Sequence, residues 1–253
     1  MRPVSLLQLS DCHLTPQDGE LFRGVDPRHT LQAVVSHIRQ SQRHFDLLLL
    51  SGDLVHHGDA AVYQELLSLL APLQLPILWF AGNHDDAAAM QLAAPELFVE
   101  VTRLQSWQLL CLDSNHLPDG CGSGAVSPAS LERLALQLQA SADTPTLIAL
   151  HHNPLPSGTD WQDQIMLSNA DAFWAVLEQA PQCKAVICGH LHQALSWQHQ
   201  GVRVWSSPST AVQFQPDTAV TLPAYRWYQL WPDGTIDSGS ESVKMDDQTK
   251  DDH

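Results

Sequence analysis

Residue types that bind divalent metals recur at the ends of short apolar runs in this chain. Val4–Leu9 leads into Ser10-Asp11-Cys12-His13, and Asp46–Leu50 into Ser51-Gly52-Asp53. Ile77–Phe80 leads into Ala81-Gly82-Asn83-His84-Asp85, Thr146–Leu150 into His151-His152, and Ala185–Cys188 into Gly189-His190-Leu191-His192. Carboxylate oxygen, amide oxygen and imidazole nitrogen suit manganese, iron or zinc, and few of these positions offer a thiolate. Asp11 and His13 are two residues apart, as are His190 and His192, so in an extended chain each pair points one way. The Asp53 carboxylate can give one oxygen to each of two cations. Gly52, Gly82 and Gly189 let the backbone turn sharply and approach the site closely. One Asp-x-His among 14 histidines says little. All these endings together, in this order, are hard to explain as structural.

The positioning elements follow from periodicity. The same apolar runs read as β-strands, joined by Gln108–Leu112, Val202–Trp205 and Arg226–Trp231. Several are almost uninterrupted, as in strands covered on both faces. Asp26-Pro27 opens a helix carrying Leu31, Val34, Val35 and Ile38 at helical spacing, and Ser127-Pro128 opens another. Further helices are expected over about Ala60–Leu70 and from near Asn169 to Gln179. This alternation is that of a layered α/β domain. If the strands share a sheet, their endings meet beyond its carboxyl edge, where sites in open α/β sheets gather. Residues 1–240 read as a single domain, and residues 241–253 as an acidic, disordered tail.

Bulk composition narrows the class. A chain of 253 residues, 44% hydrophobic and 16% charged, has ample material for a core. The net charge of −16 argues against a nucleic-acid polymer as partner. No run approaches the length of a membrane span. The first residues read as a strand leading to Asp11 rather than a signal peptide. The 5 cysteines form no zinc pattern, so reduced thiols in a cytoplasmic protein are the simplest account. Oligomeric state is not legible.

The series Asp11-x-His13, Gly52-Asp53, Gly82-Asn83-His84-Asp85, His151 and Gly189-His190-x-His192 resembles the calcineurin-like metallophosphoesterase superfamily. Within it the chain is most similar to bacterial class III cyclic AMP phosphodiesterases. That closer likeness rests on Gly24-Val25 through Ile38, His151-His152 with Pro154-Leu155-Pro156, Trp161 with Asp163, and Ser207 through Phe214. The resemblance implies the layered metallophosphoesterase fold, with mixed β-sheets packed as a sandwich flanked by helices. It also implies two divalent cations, iron or manganese first and zinc as a further option. One would be held by Asp11, His13, Asp53 and His192, the other by Asp53, Asn83, His151 and His190. A metal-bridging hydroxide in such a site, about 3.5–4 Å across, attacks phosphorus in line.

The implied substrate is 3′,5′-cyclic AMP, a small molecule, with AMP as product. His84 is the candidate to stabilise the phosphoryl group or protonate the leaving oxygen. Asp85 would orient it through a ring hydrogen bond. His13, Asp53, Asn83, His84 and His192 would lie nearest the phosphate. The alternative is the same metal site acting on another phosphoester, such as a nucleotide pyrophosphate, a glycerophosphodiester or a phosphomonoester. A non-catalytic scaffold would be expected to have lost ligands, and every ligand position is filled. A serine hydrolase gains no support, because there is no Gly-x-Ser-x-Gly elbow.

Other residues carry rival readings. Cys12 between two ligands is expected to pack away from them. His152 is open between a substrate contact and a structural role. His56 and His57 read as solvated loop residues ahead of a place at the substrate's border, Asp113 as a turn cap ahead of a support for the site, and Trp161 and Trp205 as core ahead of surfaces that stack a base.

Overall fold

A computed structural model of the protein describes residues 2–214 and 222–245. Strands β1 (Val4–Leu9), β2 (Leu47–Ser51) and β3 (Ile77–Phe80) are parallel neighbours. β4 (Val101–Leu104) and β5 (Trp107–Cys111) form a hairpin, and β6 (Thr146–Ala149), β7 (Cys183–Cys188), β8 (Ser196–His199) and β9 (Val202–Ser206) follow. β10 (Ala224–Leu230) returns antiparallel to β1, and β11 (Ile236–Ser242) flanks it. Two mixed sheets result, ordered β11-β10-β1-β2-β3 and β4-β5-β6-β7-β9-β8. The sandwich of mixed sheets flanked by helices agrees with the sequence reading, but the site-bearing strands are divided between two sheets rather than sharing one.

Strand periodicity explains the layering. Alternate side chains leave opposite faces of a strand. Leu6, Leu49 and Phe80 therefore face the second sheet, where they meet Trp107, Leu109, Leu147 and Ile187. Leu7, Leu48 and Leu50 face outward, onto α1 (Pro27–Gln40), α2 (Ala60–Leu70) and α3 (Ala87–Ala93) through Leu31, Val34, Leu66 and Met90. Leu110, Ile148 and Val186 of the second sheet are covered by α4 (Pro128–Ala140) and α6 (Ala170–Leu177). Burying each such leucine stabilises the fold by about 2 kcal/mol. A short α5 (Asp160–Asp163) precedes α6.

The caps form as the sequence predicts. Asp26 accepts from the backbone N–H of Arg28 and His29, and Ser127 from that of Ser130. The expected boundary at residue 240 falls inside β11, and Val243 is buried in the core, so the ordered chain runs further than predicted. The rest of the expected tail, from 246, lies outside the described residues. Among the described residues no helix is long and apolar enough to cross a membrane. Cys12, Cys111, Cys121, Cys183 and Cys188 are all free thiols.

Candidate metal centre

Beyond the ends of β1 and β2 the two chains run on side by side. Asp11 N donates to Gly52 O at 3.0 Å, and His13 N donates to Asp53 O at 2.9 Å. These residues are not extended. Asp11, His13, Asp53, His190 and His192 have φ of 54°, 47°, 50°, 70° and 50°. The left-handed region costs an L-residue about 1–2 kcal/mol, so the surrounding packing must impose it. The paired ligands thus converge through a kinked backbone, not through strand alternation as the spacing suggested.

Cys12 between them turns into the core beside Leu14 and Leu31. Burial pushes its thiol up to about 12, which leaves it protonated and outside the donor set. Two further contacts hold the loop. Ser209 Oγ donates to Asp11 O at 2.7 Å, and the His190 backbone N–H meets both Asp11 carboxylate oxygens at 3.1 Å. A Cβ on Gly189 would overlap Ser10 Oγ, so only glycine allows this approach.

The imidazoles are oriented by backbone carbonyls. His151 Nδ1 donates to Ser51 O at 2.8 Å, His192 Nδ1 to Val212 O at 2.6 Å, and His190 Nε2 to Ile165 O at 3.1 Å. Such bonds hold each ring so that its other nitrogen faces the centre, the usual arrangement around a bound metal. His13 Nε2 and His192 Nε2 lie 3.0 Å apart, with His192 Nε2 also 3.3 Å from Asp11 Oδ1. His13 Nδ1, Asn83 Oδ1 and His151 Nε2 are buried without a hydrogen-bond partner. Buried polar atoms left without a partner are costly in a protein interior unless a cation lies among them. The residues present therefore fit divalent metal, and Asp11, His13 and His192, or Asp11, Asp53 and His151, bring ligand atoms within 4.8 Å of one another.

Asp53 occupies the middle. Its Oδ1 lies 3.4 Å from His151 Nε2 and its Oδ2 3.8 Å from His13 Nε2. Burial raises its pKa, but the attraction of His151 and His13 outweighs burial and holds it well below the carboxylate range. Burial likewise acts against Asp11, and His192 again prevails to lower it. Burial lowers His13, and burial with His151 takes His190 down to about 4. The two carboxylates are thus held ionised, and His13 and His190 neutral.

His84 is exposed at the cleft floor, and its backbone N–H donates to Asp53 Oδ1 at 2.8 Å. The expected ring bond from Asp85 gives way to a different arrangement. The Asp85 carboxylate accepts from Leu54 N, Val55 N and Gly82 N and from Tyr63 Oη. It ties the Asp53 loop to the Asn83 loop and so positions both, away from the reacting atoms.

His152 is a buried pillar. Its Nδ1 meets Ser114 Oγ at 2.8 Å and its Nε2 donates to Gly122 O at 3.2 Å, so neither nitrogen is left for a ligand. Asp113 accepts from Asn115 N in a turn, as expected, and Trp205 is core. His57 faces Glu20 at 3.1 Å on the surface.

The cleft over the centre encloses about 470 Å³ and is lined by His13, Phe22, His56, His84, Trp161 and Phe214, among others. The sequence reading favours a solvated loop for His56 and the core for Trp161, yet both face the cleft. Trp161 belongs to a stretch that carries the closer likeness, which is the signal that points to it; His56 carries none, because which loop folds over the strand ends is a matter of topology. A depression of about 520 Å³ elsewhere, lined by Glu100, Leu110, Arg133 and Gln137, contains none of the ligands.

The chain is similar to known proteins. The family description "Calcineurin-like phosphoesterase" matches residues 4–194. The chain is 36% identical over 247 residues to the 3′,5′-cyclic adenosine monophosphate phosphodiesterase CpdA of Pseudomonas aeruginosa, covering 95% of this chain and 90% of that protein. It is 38% identical over 237 residues to CpdA of Vibrio vulnificus, covering 90% and 85%. Among solved structures, a dimetal phosphatase from Danio rerio superposes with a TM-score of 0.67 at 13% identity, over 96% of this chain and 100% of that one. A purple acid phosphatase from yellow lupin superposes with a TM-score of 0.63 at 12% identity, over 94% and 53%. At such identity these structures speak for the fold alone. The sequence matches go further: the chain belongs to the calcineurin-like phosphoesterase family and is a metal-dependent hydrolase.

Proposed function

We propose that the protein hydrolyses 3′,5′-cyclic AMP to AMP. The observation that carries this reading is the 36% identity to a cyclic AMP phosphodiesterase across 95% of the chain, with every candidate ligand filled. In this reading Asp11, His13, Asp53 and His192 hold one cation, and Asp53, Asn83, His151 and His190 hold the other. The nitrogen and oxygen donors favour iron or manganese, with zinc also accommodated. When bound, the pair supplies charge neutralisation at the phosphate oxygens and a water-derived nucleophile at neutral pH.

The chain's own groups do the rest. Asn83, His84, His13 and His192 surround the phosphate. A ring N–H of His84 donates to the phosphoryl group or gives its proton to the departing O3′ as the P–O3′ bond breaks. The product is then the 5′-monophosphate with a free 3′-hydroxyl. Asp85 keeps the Asn83-His84 turn in register with Asp53. The free thiols fit a cytoplasmic enzyme.

The test is AMP release from cyclic AMP by the purified protein with added Mn²⁺ or Fe²⁺, with Asn83→Ala alongside. Metal-dependent turnover that the variant abolishes supports the reading. Cleavage of an aryl phosphodiester without cleavage of cyclic AMP would move the site to another phosphoester.

A further inference from the structure

The wall of the cleft beside His192 is built in a way that the metal chemistry does not require. Phe22 and Val25 exchange backbone hydrogen bonds of 2.8 and 3.0 Å across a two-residue turn, and Arg23 and Gly24 at its tip have φ of 48° and 86°. A turn with both central residues at positive φ favours asparagine, aspartate or glycine at its first position. An arginine there is strained, and strain of this kind concentrates at functional positions.

The turn sets Phe22 flat on His13, with ring centroids 4.1 Å apart at 14°. Phe214 lies flat on His192, 3.9 Å away at 9°. The Arg23 guanidinium carbon sits 4.7 Å over the Phe214 ring. His192 already covers one face of Phe214, so Arg23 takes the other. Among the described residues lining the cleft, Arg23 is the only lysine or arginine, in a chain of net charge −16.

Trp161 stands edge-on to Phe214, with centroids 5.5 Å apart at 68°. It is 47% exposed, yet its short helix is firmly tied. Asp163 accepts from Ser157 N at 2.6 Å and Gly158 N at 3.2 Å, and the buried Gln162 donates to Leu191 O at 2.9 Å. An exposed indole on a rigid mount, at the mouth of a phosphoester cleft, is a stacking surface.

We propose that Arg23 and Trp161 hold a purine base: the indole stacks on its face, and the guanidinium donates to its acceptor edge. This rests on the nucleotide reading of the site. Adenine presents N7 to such a donor and guanine presents N7 and O6, so cyclic GMP is accepted together with cyclic AMP.

Product binding reads the base separately from the chemistry. Calorimetry on the metal-loaded protein compares AMP with ribose 5-phosphate, which keeps the phosphate and sugar but lacks the base. Wild type should favour AMP about tenfold, the scale of one base–aromatic stack. Trp161→Ala and Arg23→Gly should each narrow that gap, with a matching rise in KM for both cyclic purine nucleotides. Glycine suits the left-handed position, so Arg23→Gly keeps its melting temperature and a loss of binding cannot be ascribed to unfolding. Equal affinity of wild type for AMP and ribose 5-phosphate, or a gap that survives in both variants, overturns the inference. Cyclic AMP turnover by wild type, measured in parallel, decides the functional reading on its own.

Discussion

Nε2 of His151 lies 3.4 Å from Oδ1 of Asp53, while Nδ1 of the same ring is given to Ser51 O at 2.8 Å. Burial by itself would lower the pKa of His151, but the Asp53 charge outweighs it and raises the ring to about 9. In the metal-free protein a proton therefore lies between the two groups at neutral pH. A cation bound there must displace it. Metal affinity should rise with pH until about 9 and then level off, with about one proton released per chain near neutrality. Calorimetry in buffers of different ionisation enthalpy measures that proton. The sign for folding is opposite. A pKa raised above the ordinary 6.5 stabilises the metal-free protein below that value, and the contribution fades as pH rises through about 9.

Asp85 should matter through structure rather than proton transfer. In Asp85→Asn an amide N–H₂ replaces an oxygen that accepts from Leu54 N, Val55 N, Gly82 N or Tyr63 Oη. A loss of about 2–4 kcal/mol in denaturant unfolding is expected, because buried donors are left unpaired. Metal content should fall with it, as both ligand loops depend on the same carboxylate. Unchanged stability would show that the loops hold themselves.

His152 offers the contrasting case. With Ser114 Oγ and Gly122 O as its partners, His152→Ala should keep its metal stoichiometry, read by elemental analysis. It should nonetheless lose about 2–3 kcal/mol of stability. Loss of one metal equivalent with unchanged stability would make it a ligand.

Gly52 has φ of 89°, and a Cβ there would overlap His151 Nδ1 and lie 2.7 Å from Gly82 N. Gly52→Ala should cost about 2–4 kcal/mol from overpacking and backbone strain together. Metal binding should weaken as well, since the His151 ring must move. Thermal unfolding with and without chelator separates the two effects.

How much of this was legible follows from burial. β1, β2, β5, β6 and β7 are strand runs with nearly every residue buried, and the sequence locates each to within about two residues. β4, β8 and β11 escaped notice because they are edge strands that bury little, unlike the edge strand β3, which is mostly buried. β4 and β8 alternate exposed with half-buried positions, and Ile236–Ser242 is mostly polar. The ligand residue types were readable because few other side chains bind metal. Their backbone shape was not, since nothing in Asp-x-His announces left-handed φ at both ends. The path of Asp85 was hidden for a related reason: its donors are backbone amides, which every residue carries.

In the proposed assignment each cation draws ligands from both halves of the sandwich. Asp11 and His13 follow β1 and His192 follows β7; Asp53 and Asn83 follow β2 and β3, and His151 and His190 follow β6 and β7. The metals are then rivets through the seam between the sheets. Loaded protein should unfold in one cooperative step. Chelation should let amide exchange quicken first along the carboxyl ends of β2 and β6, where the halves have lost their cross-link.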